Sequence, residues 1–317
     1  MKKLLIVFAL LMTVLAGCAS NTAPKADHTA SKVLTVLAPK GAPAIGMLGY
    51  ARNSSSQVTT VDGADLLQAA LVNPTPQYDV IVAPVNLGVK LIAGGKSTYK
   101  LAAVLTWGNL YIISTATTLK ADAAMAAFGQ GAVPEKVLTT VQSSLGYNGQ
   151  ITWFSAVSEV AGQAIAGKFD TALVAEPVMT KVIAAGKAKG VTWNVVGNLQ
   201  DAWKTATGFD NYPQAAIFVR QEDYDANTQS YANLFASVRN YIVRSSADDV
   251  ASDVAALNGN QATADMIGVD AKIIGADTLA NMNIGFVKAA DAQDQILAFV
   301  KLFGVESLDN TLLTVKG

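Results

Sequence analysis

Two stretches of the chain repeat one pattern of polar and apolar positions. Tyr78 and Asp79 precede a short apolar run that ends at Pro84, and Phe169 and Asp170 precede a similar run that ends at Glu176-Pro177. Short apolar runs between turn signals are typical of strands buried on both faces, and a proline rules out continuing the ladder. The pattern predicts two α/β halves built alike, although two buried strands of any α/β protein would also produce it.

The residues that follow these two strands are candidates for ligand binding. In open α/β sheets, ligands bind beyond the carboxyl ends of the strands, where Asn86 and Glu176 are expected to lie. Other β-prone runs bounded by Gly, Pro, Asn or Asp predict further strands. These runs cover residues 33–38, 57–61, 100–106, 110–115, 124–128, 150–154, 192–196 and 214–220.

A strand, a glycine turn and a proline-opened helix occur in succession twice. The first instance contains Lys40, Gly41, Ala42 and Pro43, and the second contains Gln130, Gly131, Ala132 and Val133 before Pro134. The free N–H groups at such a helix start can bind an anionic or carbonyl oxygen. Lys40 adds charge there or is merely solvated. The second turn lacks the GxxxxGK[ST] pattern and does not indicate a nucleotide.

An aromatic and polar cluster joins two β-rich runs at residues 107–111. Trp107 and Tyr111 are either a ligand platform or core, and Asn109 is either a ligand contact or a turn former. After residue 220 the chain is predicted to be mostly helical. Apolar stripes at helical spacing there are interpreted as core, and they comprise Tyr231, Leu234, Phe235, Val238 and Ile242, then Ile296, Phe299, Val300 and Phe303.

The first residues carry an export signal. Met1-Lys2-Lys3 precedes an apolar run over residues 4–15, which is too short to cross a bilayer comfortably and leads to Leu15-Ala16-Gly17-Cys18. Residues 1–17 are therefore predicted to be removed, and residues 18–32, which are small and polar, to form a tether. A plain secretory signal with an incidental cysteine is the alternative.

Composition excludes several kinds of chemistry. The formal net charge is −1, so neither nucleic acid nor an anionic membrane surface is an obvious electrostatic partner. The chain has one cysteine and one histidine, His28 in the tether, so we predict no disulfide, no metal cluster and no Cys or His catalysis. A Ser-Lys or carboxylate enzyme is allowed, but no motif indicates one. We predict no catalytic residue, no metal and no cofactor.

Taken together, these features resemble the type II solute-binding lipoproteins of ABC importers. The sequence is most similar to the branch that binds nitrate, sulfonates and thiamine precursors, through the Gly167-Lys168-Phe169-Asp170 and Glu176-Pro177 segment and the turn that ends at Pro43. Small residues before Cys18 resemble a lipobox, in which that cysteine carries the lipid. The resemblance implies a type II periplasmic-binding-protein fold of two βα lobes, a two-segment hinge and a helical C-terminus. Lobe 1 would comprise residues 33–114 and 215–317, and lobe 2 residues 115–214.

The resemblance also implies a function and a set of ligand contacts. The two lobes would close on a small molecule, and the monomer would then dock on a permease and its ATPase at the extracytoplasmic face of the cell membrane. The implied contacts from the first lobe are Lys40, Gly41, Ala42, Pro43, Asn86, Trp107, Asn109 and Tyr111. Those from the second lobe are Gln130, Gly131, Ala132, Val133, Ser155, Glu176 and Pro177.

The arginines bear on the choice of ligand. Arg52, Arg220, Arg239 and Arg244 all lie outside the proposed cleft loops, so no bidentate clamp for sulfonate or nitrate is visible. Trp107, Tyr111 and Glu176 instead favour a heteroaromatic or amine-bearing ligand, such as a pyrimidine-like vitamin precursor. The alternatives are an oxyanion binder, a ligand-sensing lipoprotein, and an enzyme similar to those of thiamine or menaquinone biosynthesis.

Overall fold

Eleven strands form two sheets in the described part of this computed structural model, residues 31–263 and 265–315. The first sheet has the order β11-β4-β10-β3-β1-β2. Its strands are β1 (Val36–Pro39), β2 (Val58–Val61), β3 (Val80–Pro84), β4 (Tyr99–Trp107), β10 (Pro213–Arg220) and β11 (Ile284–Lys288). Strand β1 runs parallel to β2 and β3, whereas β10 runs antiparallel to β3 and β4.

The second sheet has five strands in the order β7-β6-β8-β5-β9. They are β5 (Leu110–Ser114), β6 (Met125–Phe128), β7 (Ile151–Phe154), β8 (Thr171–Ala175) and β9 (Asn194–Asn198). Strand β6 runs parallel to β7 and β8, and β5 runs antiparallel to β8 and β9. Each sheet therefore combines parallel βα units with an antiparallel strand contributed by a chain crossover.

Thirteen α-helices connect the strands within the described residues. They are α1 (Ala42–Gly46), α2 (Leu48–Ala51), α3 (Asp65–Val72), α4 (Val85–Ala93), α5 (Val133–Val141), α6 (Val157–Ile165), α7 (Val178–Ala188), α8 (Leu199–Thr207), α9 (Gln221–Ala226), α10 (Thr228–Arg244), α11 (Ala247–Gly259), α12 (Ala276–Asn281) and α13 (Gln293–Lys301). None of the helices in the described part of the chain is long and apolar enough to cross a membrane.

The core lies where the apolar pattern predicts it. The apolar residues of β3 and the first four residues of β8 are buried, as expected for runs covered on both faces. Tyr231, Leu234 and Val238 of α10 are buried. Ile296, Phe299 and Val300 of α13 are buried as well. Both helical stripes are therefore core, as the sequence predicts.

Two predictions about chain organisation need correction. Strand β5 was assigned to the first lobe, but it pairs with β8 and β9 in the second sheet, so the turn at Gly108 and Asn109 joins two sheets and is not a hairpin. Strand β11 lies in a region predicted to be mostly helical. The residue boundaries of the two lobes stay a prediction, because the described residues from Lys32 onward form one compact unit.

The predicted tether ends too late. Lys32 was assigned to it, but its Nζ lies 2.6 Å from Asp79 Oδ1 and 2.9 Å from Asp223 Oδ1. These ion pairs fix Lys32 to the first sheet. The predicted signal over residues 1–17, the lipidation site Cys18 and the tether residues up to 30 lie outside the described residues.

Candidate functional site

A cavity of about 850 Å³ lies between strand ends of the first sheet and helix starts beside the second. Most of the residues predicted from the sequence line it, and they are Lys40, Gly41, Ala42, Pro43, Asn86, Asn109, Ala132, Val133, Glu176 and Pro177. Their role as ligand contacts stays a prediction. The cavity lies beyond the carboxyl ends of β1, β3 and β8, which is where open α/β sheets bind ligands.

Glycines shape the two matching turns at the cavity edge. Gly41 has a φ of 89°, and its N–H donates to the carbonyl of Ile267 at 2.8 Å before α1 begins. Gly129 has a φ of 73°, and a Cβ there would lie 2.9 Å from the ring of Pro134 at the start of α5. Both positions need the left-handed region that glycine enters without strain. The two strand-turn-helix segments predicted from the sequence therefore form.

Asn109 and Glu176 are joined across the cavity wall by two hydrogen bonds. The N–H of Glu176 donates to the carbonyl of Asn109 at 3.1 Å, and Nδ2 of Asn109 donates to the carbonyl of Glu176 at 3.1 Å. The second bond fixes the orientation of the Asn109 amide. Its Oδ1 then has no hydrogen-bond partner among the described residues. Asn109 is only 4% exposed, so this acceptor is buried. A buried acceptor without a donor is uncommon in folded proteins.

Two further amide oxygens in the cavity wall share this property. Oδ1 of Asn86, on the first turn of α4, and Oε1 of Gln214, at the start of β10, are buried and have no partner among the described residues. The three residues that carry these unpartnered acceptors thus line one cavity. This arrangement can accept hydrogen bonds from N–H or O–H groups of a bound molecule.

Glu176 is the buried carboxylate of the cavity, with 3% exposure. Burial raises its pKa, and hydrogen bonds from Thr180 and Asn281 oppose that rise. The N–H of Thr180 donates to Oε2 at 3.2 Å, and the Thr180 hydroxyl donates to Oε1 at 2.8 Å. The Thr180 hydroxyl also lies 3.1 Å from that of Thr278 on α12. Glu176 is therefore linked through Thr180 to a helix that precedes β11 of the first sheet.

Lys40 lines the cavity, but its charge is compensated. Its Nζ lies 2.7 Å from Asp265 Oδ2 and 3.3 Å from Asp62 Oδ2. The hydrogen bond to Asp265 raises the pKa of Lys40. The lysine is thus not merely solvated, and two carboxylates already balance its charge.

The two aromatic residues predicted as a stacking platform lie outside the cavity wall. Side chains alternate along β4, so Thr106 lines the cavity while Trp107 packs beside Gly285 of β11. Tyr111 is buried in the core, its hydroxyl donates to the carbonyl of Asn281 at 2.9 Å, and burial raises its pKa to about 12. The aromatic residue that does line the cavity is Phe128.

Three other predicted contacts also lie outside the cavity wall, at exposed positions near the starts of α5 and α6. They are Gln130, Gly131 and Ser155. The N–H of Gly131 donates to Glu135 Oε2 at 2.6 Å, and the N–H of Ser155 donates to Glu159 Oε2 at 2.9 Å. Glutamates of the chain itself therefore occupy the donors that the sequence analysis assigned to a ligand.

Several cavity residues were missed from the sequence. Gln214 follows Pro213 in a strand that was predicted, so its place next to the crossover was a usable signal. Gly268 and Val269 lie in a turn that carries no sequence motif. The hydrogen bond from the N–H of Gly41 to the carbonyl of Ile267 holds this turn next to the cavity. Asp62, which follows the predicted strand over residues 57–61, also lines the cavity and was not predicted as a contact.

Comparisons with known proteins support the fold. The structure is similar to an ABC transporter protein from Parabacteroides distasonis, with a TM-score of 0.71 and 19% identity over 90% of this chain and 99% of that one. It is similar to the aliphatic sulphonate binding protein SsuA from Escherichia coli, with a TM-score of 0.64 and 14% identity over 90% and 94% of the two chains. For the nitrate-binding protein NrtA from Synechocystis, the TM-score is 0.55 at 12% identity over 86% and 81%.

No protein-family model matches the chain, and no curated protein matches it. At these identities the likeness shows the fold, and the chain has the two-lobed α/β fold of periplasmic binding proteins. The resemblance predicted from the sequence is confirmed at that level, since the structural neighbours are solute-binding proteins of ABC transport. A shared fold does not by itself assign a ligand.

Proposed function

We propose that this chain is the extracytoplasmic solute-binding protein of an ABC importer and that it captures a small polar or heteroaromatic molecule in the described cavity. The fold supports this proposal, because neighbours with the same architecture are ligand-binding components of ABC import. The cavity supports it as well. It is large enough for a drug-sized molecule and is lined by apolar walls with a few convergent polar groups.

The observation that carries the proposal is the unpartnered amide of Asn109. Its Nδ2 is held by the carbonyl of Glu176, so Oδ1 cannot obtain a donor by flipping the amide without breaking that bond. Leaving a buried acceptor unsatisfied costs about 1–3 kcal/mol. A ligand donor that reaches Oδ1 removes this cost, which makes binding favourable and gives the ligand a fixed orientation.

The ligand class follows from the groups around Asn109. The amide oxygens of Asn86 and Gln214 accept hydrogen bonds, and Phe128 offers one aromatic surface. An amino-substituted heteroaromatic ring, such as a pyrimidine-like vitamin precursor, presents N–H donors at its edge and a flat apolar face. We favour this class over sulfonate and nitrate because none of the four arginines lines the cavity.

We propose further that the protein is a lipoprotein anchored through Cys18 on the extracytoplasmic face and that it delivers its ligand as a monomer to a permease with an ATPase. The sequence Leu15-Ala16-Gly17-Cys18 after a short apolar run supports the anchor. Metabolic labelling with a radioactive fatty acid tests it. The native chain should incorporate label, and a Cys18→Ser chain should not.

A thermal-shift screen of the full-length chain in detergent tests ligand binding. The panel contains pyrimidines, vitamins and their precursors, amines, amino acids, sulfonates and nitrate. A ligand at 100 times its Kd stabilises the protein by about 2.7 kcal/mol. Asn109→Ala should abolish the shift, whereas Trp107→Phe should retain it because Trp107 lies outside the cavity wall.

The same protein and ligand separate binding from catalysis. Mass spectrometry of the ligand after prolonged incubation should show it unchanged, since we propose capture and release without turnover. A chemically altered ligand would favour the enzyme alternative. A panel in which nothing shifts the melting temperature would contradict the solute-binding proposal.

A further inference from the structure

The charged groups of the cavity have an excess of carboxylates. Among the described residues, Lys40 is the only cationic side chain in the wall, and Asp62 and Glu176 are its anionic ones. Lys40 also lies 2.7 Å from Asp265. Its positive charge is therefore balanced within its own cluster, and Glu176 is left as an uncompensated buried carboxylate.

The helix starts beside the second sheet carry glutamates of the chain itself. The positive end of a helix usually attracts an anionic ligand. Here Glu135 accepts the N–H of Gly131 next to α5, and Glu159 accepts the N–H of Ser155 next to α6. Glu135 and Glu159 lie in the first turns of α5 and α6, where their carboxylates offset part of the positive charge of each helix start.

A second, independent observation concerns neutral groups. The unpartnered atoms of the cavity residues Asn86, Asn109 and Gln214 are all amide oxygens, which accept hydrogen bonds, and the bond from Nδ2 to Glu176 fixes this orientation for Asn109. Asn109 is more than nine-tenths buried, and its free oxygen cannot be exchanged for the amide nitrogen without losing the bond to Glu176. Partial and formal negative charges therefore coincide in one cavity.

From this arrangement, and given the proposed function, we infer that the cavity selects a positively charged solute that carries N–H donors, such as a primary ammonium or amidinium group on a small ring. The ammonium group pairs with Glu176, and its N–H groups reach the amide oxygens. Anions are rejected, because they would face carboxylates and carbonyl oxygens without an arginine. Selection then depends on repulsion of the wrong solute as well as attraction of the right one.

Calorimetric titration with matched probes tests this inference. The probes are aminopyrimidines and benzenes that each carry an aminomethyl, a hydroxymethyl or a carboxylate group, which makes them cationic, neutral or anionic. For full-length protein in non-ionic detergent at neutral pH, the aminomethyl probe should bind at least about tenfold more tightly than the hydroxymethyl probe. The carboxylate probe should bind weakest. Raising the salt concentration should reduce the advantage of the cation.

Two variants identify the groups responsible. Glu176→Gln keeps the shape of the side chain and should bring the affinities for the cationic and neutral probes close together. Glu222→Gln, an exposed position on α9 outside the cavity, is the matched control and should leave the tenfold preference intact. The double change Asp62→Asn with Asp265→Asn alters exposed carboxylates and leaves Lys40 uncompensated. It should raise the affinity for the carboxylate probe.

The outcomes separate the two proposals. Binding of the neutral or anionic probe as tightly as the cationic one overturns the inference about charge and leaves the solute-binding function standing. An unchanged preference in Glu176→Gln also overturns the inference, because the carboxylate would then not be its source. If no probe binds at millimolar concentration, both the inference and the function proposed for the cavity fail.

Discussion

The two repeated strands, β3 and β8, have one backbone plan and different side-chain roles. Each follows an aromatic residue and an aspartate, lies in the interior of its sheet and leads into a helix through a proline. Asp79 before β3 is 8% exposed and accepts the N–H of Thr35 at 2.8 Å. Asp170 before β8 is exposed, and its backbone carbonyl is the group that accepts hydrogen bonds from Ser114 and Thr115.

The other ends of the two strands differ by one residue. Ala83 is followed directly by Pro84, whereas Glu176 lies between Ala175 and Pro177. That additional residue places a buried carboxylate in the cavity wall on the second side, while the first side offers the neutral amide of Asn86. The repeated pattern thus specifies the backbone path. The differences before the two strands affect stability, and those after them determine which polar groups line the cavity.

The largest expected effect distinguishes the two aspartates. Asp79→Asn should lower the free energy of unfolding by about 2 kcal/mol, because the charged carboxylate accepts hydrogen bonds from Thr35 and from the partly exposed Lys32, which keeps Asp223 as its second partner. Asp170→Asn should change the free energy by no more than about 0.5 kcal/mol, as is usual at exposed positions. Urea unfolding of both variants measures the difference. Equal losses would show that the shared pattern, and not the local contacts, sets the role of the aspartate.

How far the sequence predicts the structure depends on whether a feature is local. The β-prone runs that became β1 to β10 are bounded by turn residues, so they could be recognised one at a time. Strand β11 could not, because Ile284–Lys288 lies in a region of helical pattern and is identified only by its pairing with β4. Its partner is distant in the chain, and no local pattern reveals that pairing.

The cavity was predicted at the level of loops and missed at the level of side chains. The turns that contain Gly41 and Ala132 were found because glycine and proline mark them. Trp107 was assigned to the wrong face because residues on both faces of β4 are apolar or buried, so the sequence shows no alternation from which to tell its side. Phe128 was overlooked for the same reason, as the last residue of an apolar run.

The next effect concerns the carboxylate that distinguishes β8. Because burial raises the pKa of Glu176 above 4.5, the folded state holds this proton more tightly than the unfolded chain does. The contribution of Glu176 to stability is therefore greatest below pH 4.5 and declines as the pH rises through the raised pKa. Glu176→Gln lacks this decline, so its stability relative to the native chain should increase as the pH rises, although its amide has only one oxygen for the two hydrogen bonds from Thr180.

Urea unfolding across a pH series measures that prediction. The stability of Glu176→Gln relative to the native chain should be constant below about pH 4, where the native carboxyl is protonated in both states, and should increase above it. Asn86→Asp places a carboxylate at the matching position of the first side and should introduce the pH dependence that the native residue lacks. A relative stability that is constant with pH would show that the carboxyl group does not titrate in this range.

A smaller effect tests the aromatic wall on the second side. Phe128→Leu should weaken binding of an aromatic ligand by about fivefold, which corresponds to the 0.5–1.5 kcal/mol typical of one aromatic contact. Trp107→Phe is the control on the first side, since its ring packs beside Gly285 and outside the cavity wall. Calorimetric titration with the ligand from the thermal screen compares them. A larger loss for Trp107→Phe would restore the stacking role that the sequence suggested.

The smallest effect concerns the link between the two sides. The Thr180 hydroxyl donates its proton to the ionised Glu176, so the hydroxyl of Thr278 must be the donor in the contact between the two threonines. Thr278→Val removes that donor and should cost about 1 kcal/mol of stability. In this variant the decline in stability should occur at a higher pH than in the native chain. The reason is that the hydrogen-bond chain supporting the ionised Glu176 is shortened, which raises the pKa of Glu176. Thr311→Val is the matched control, as Thr311 is equally buried and its hydroxyl donates to Leu308. The control should lose similar stability without moving the pH dependence, so a shift in both variants would mean that the effect does not pass through Thr180.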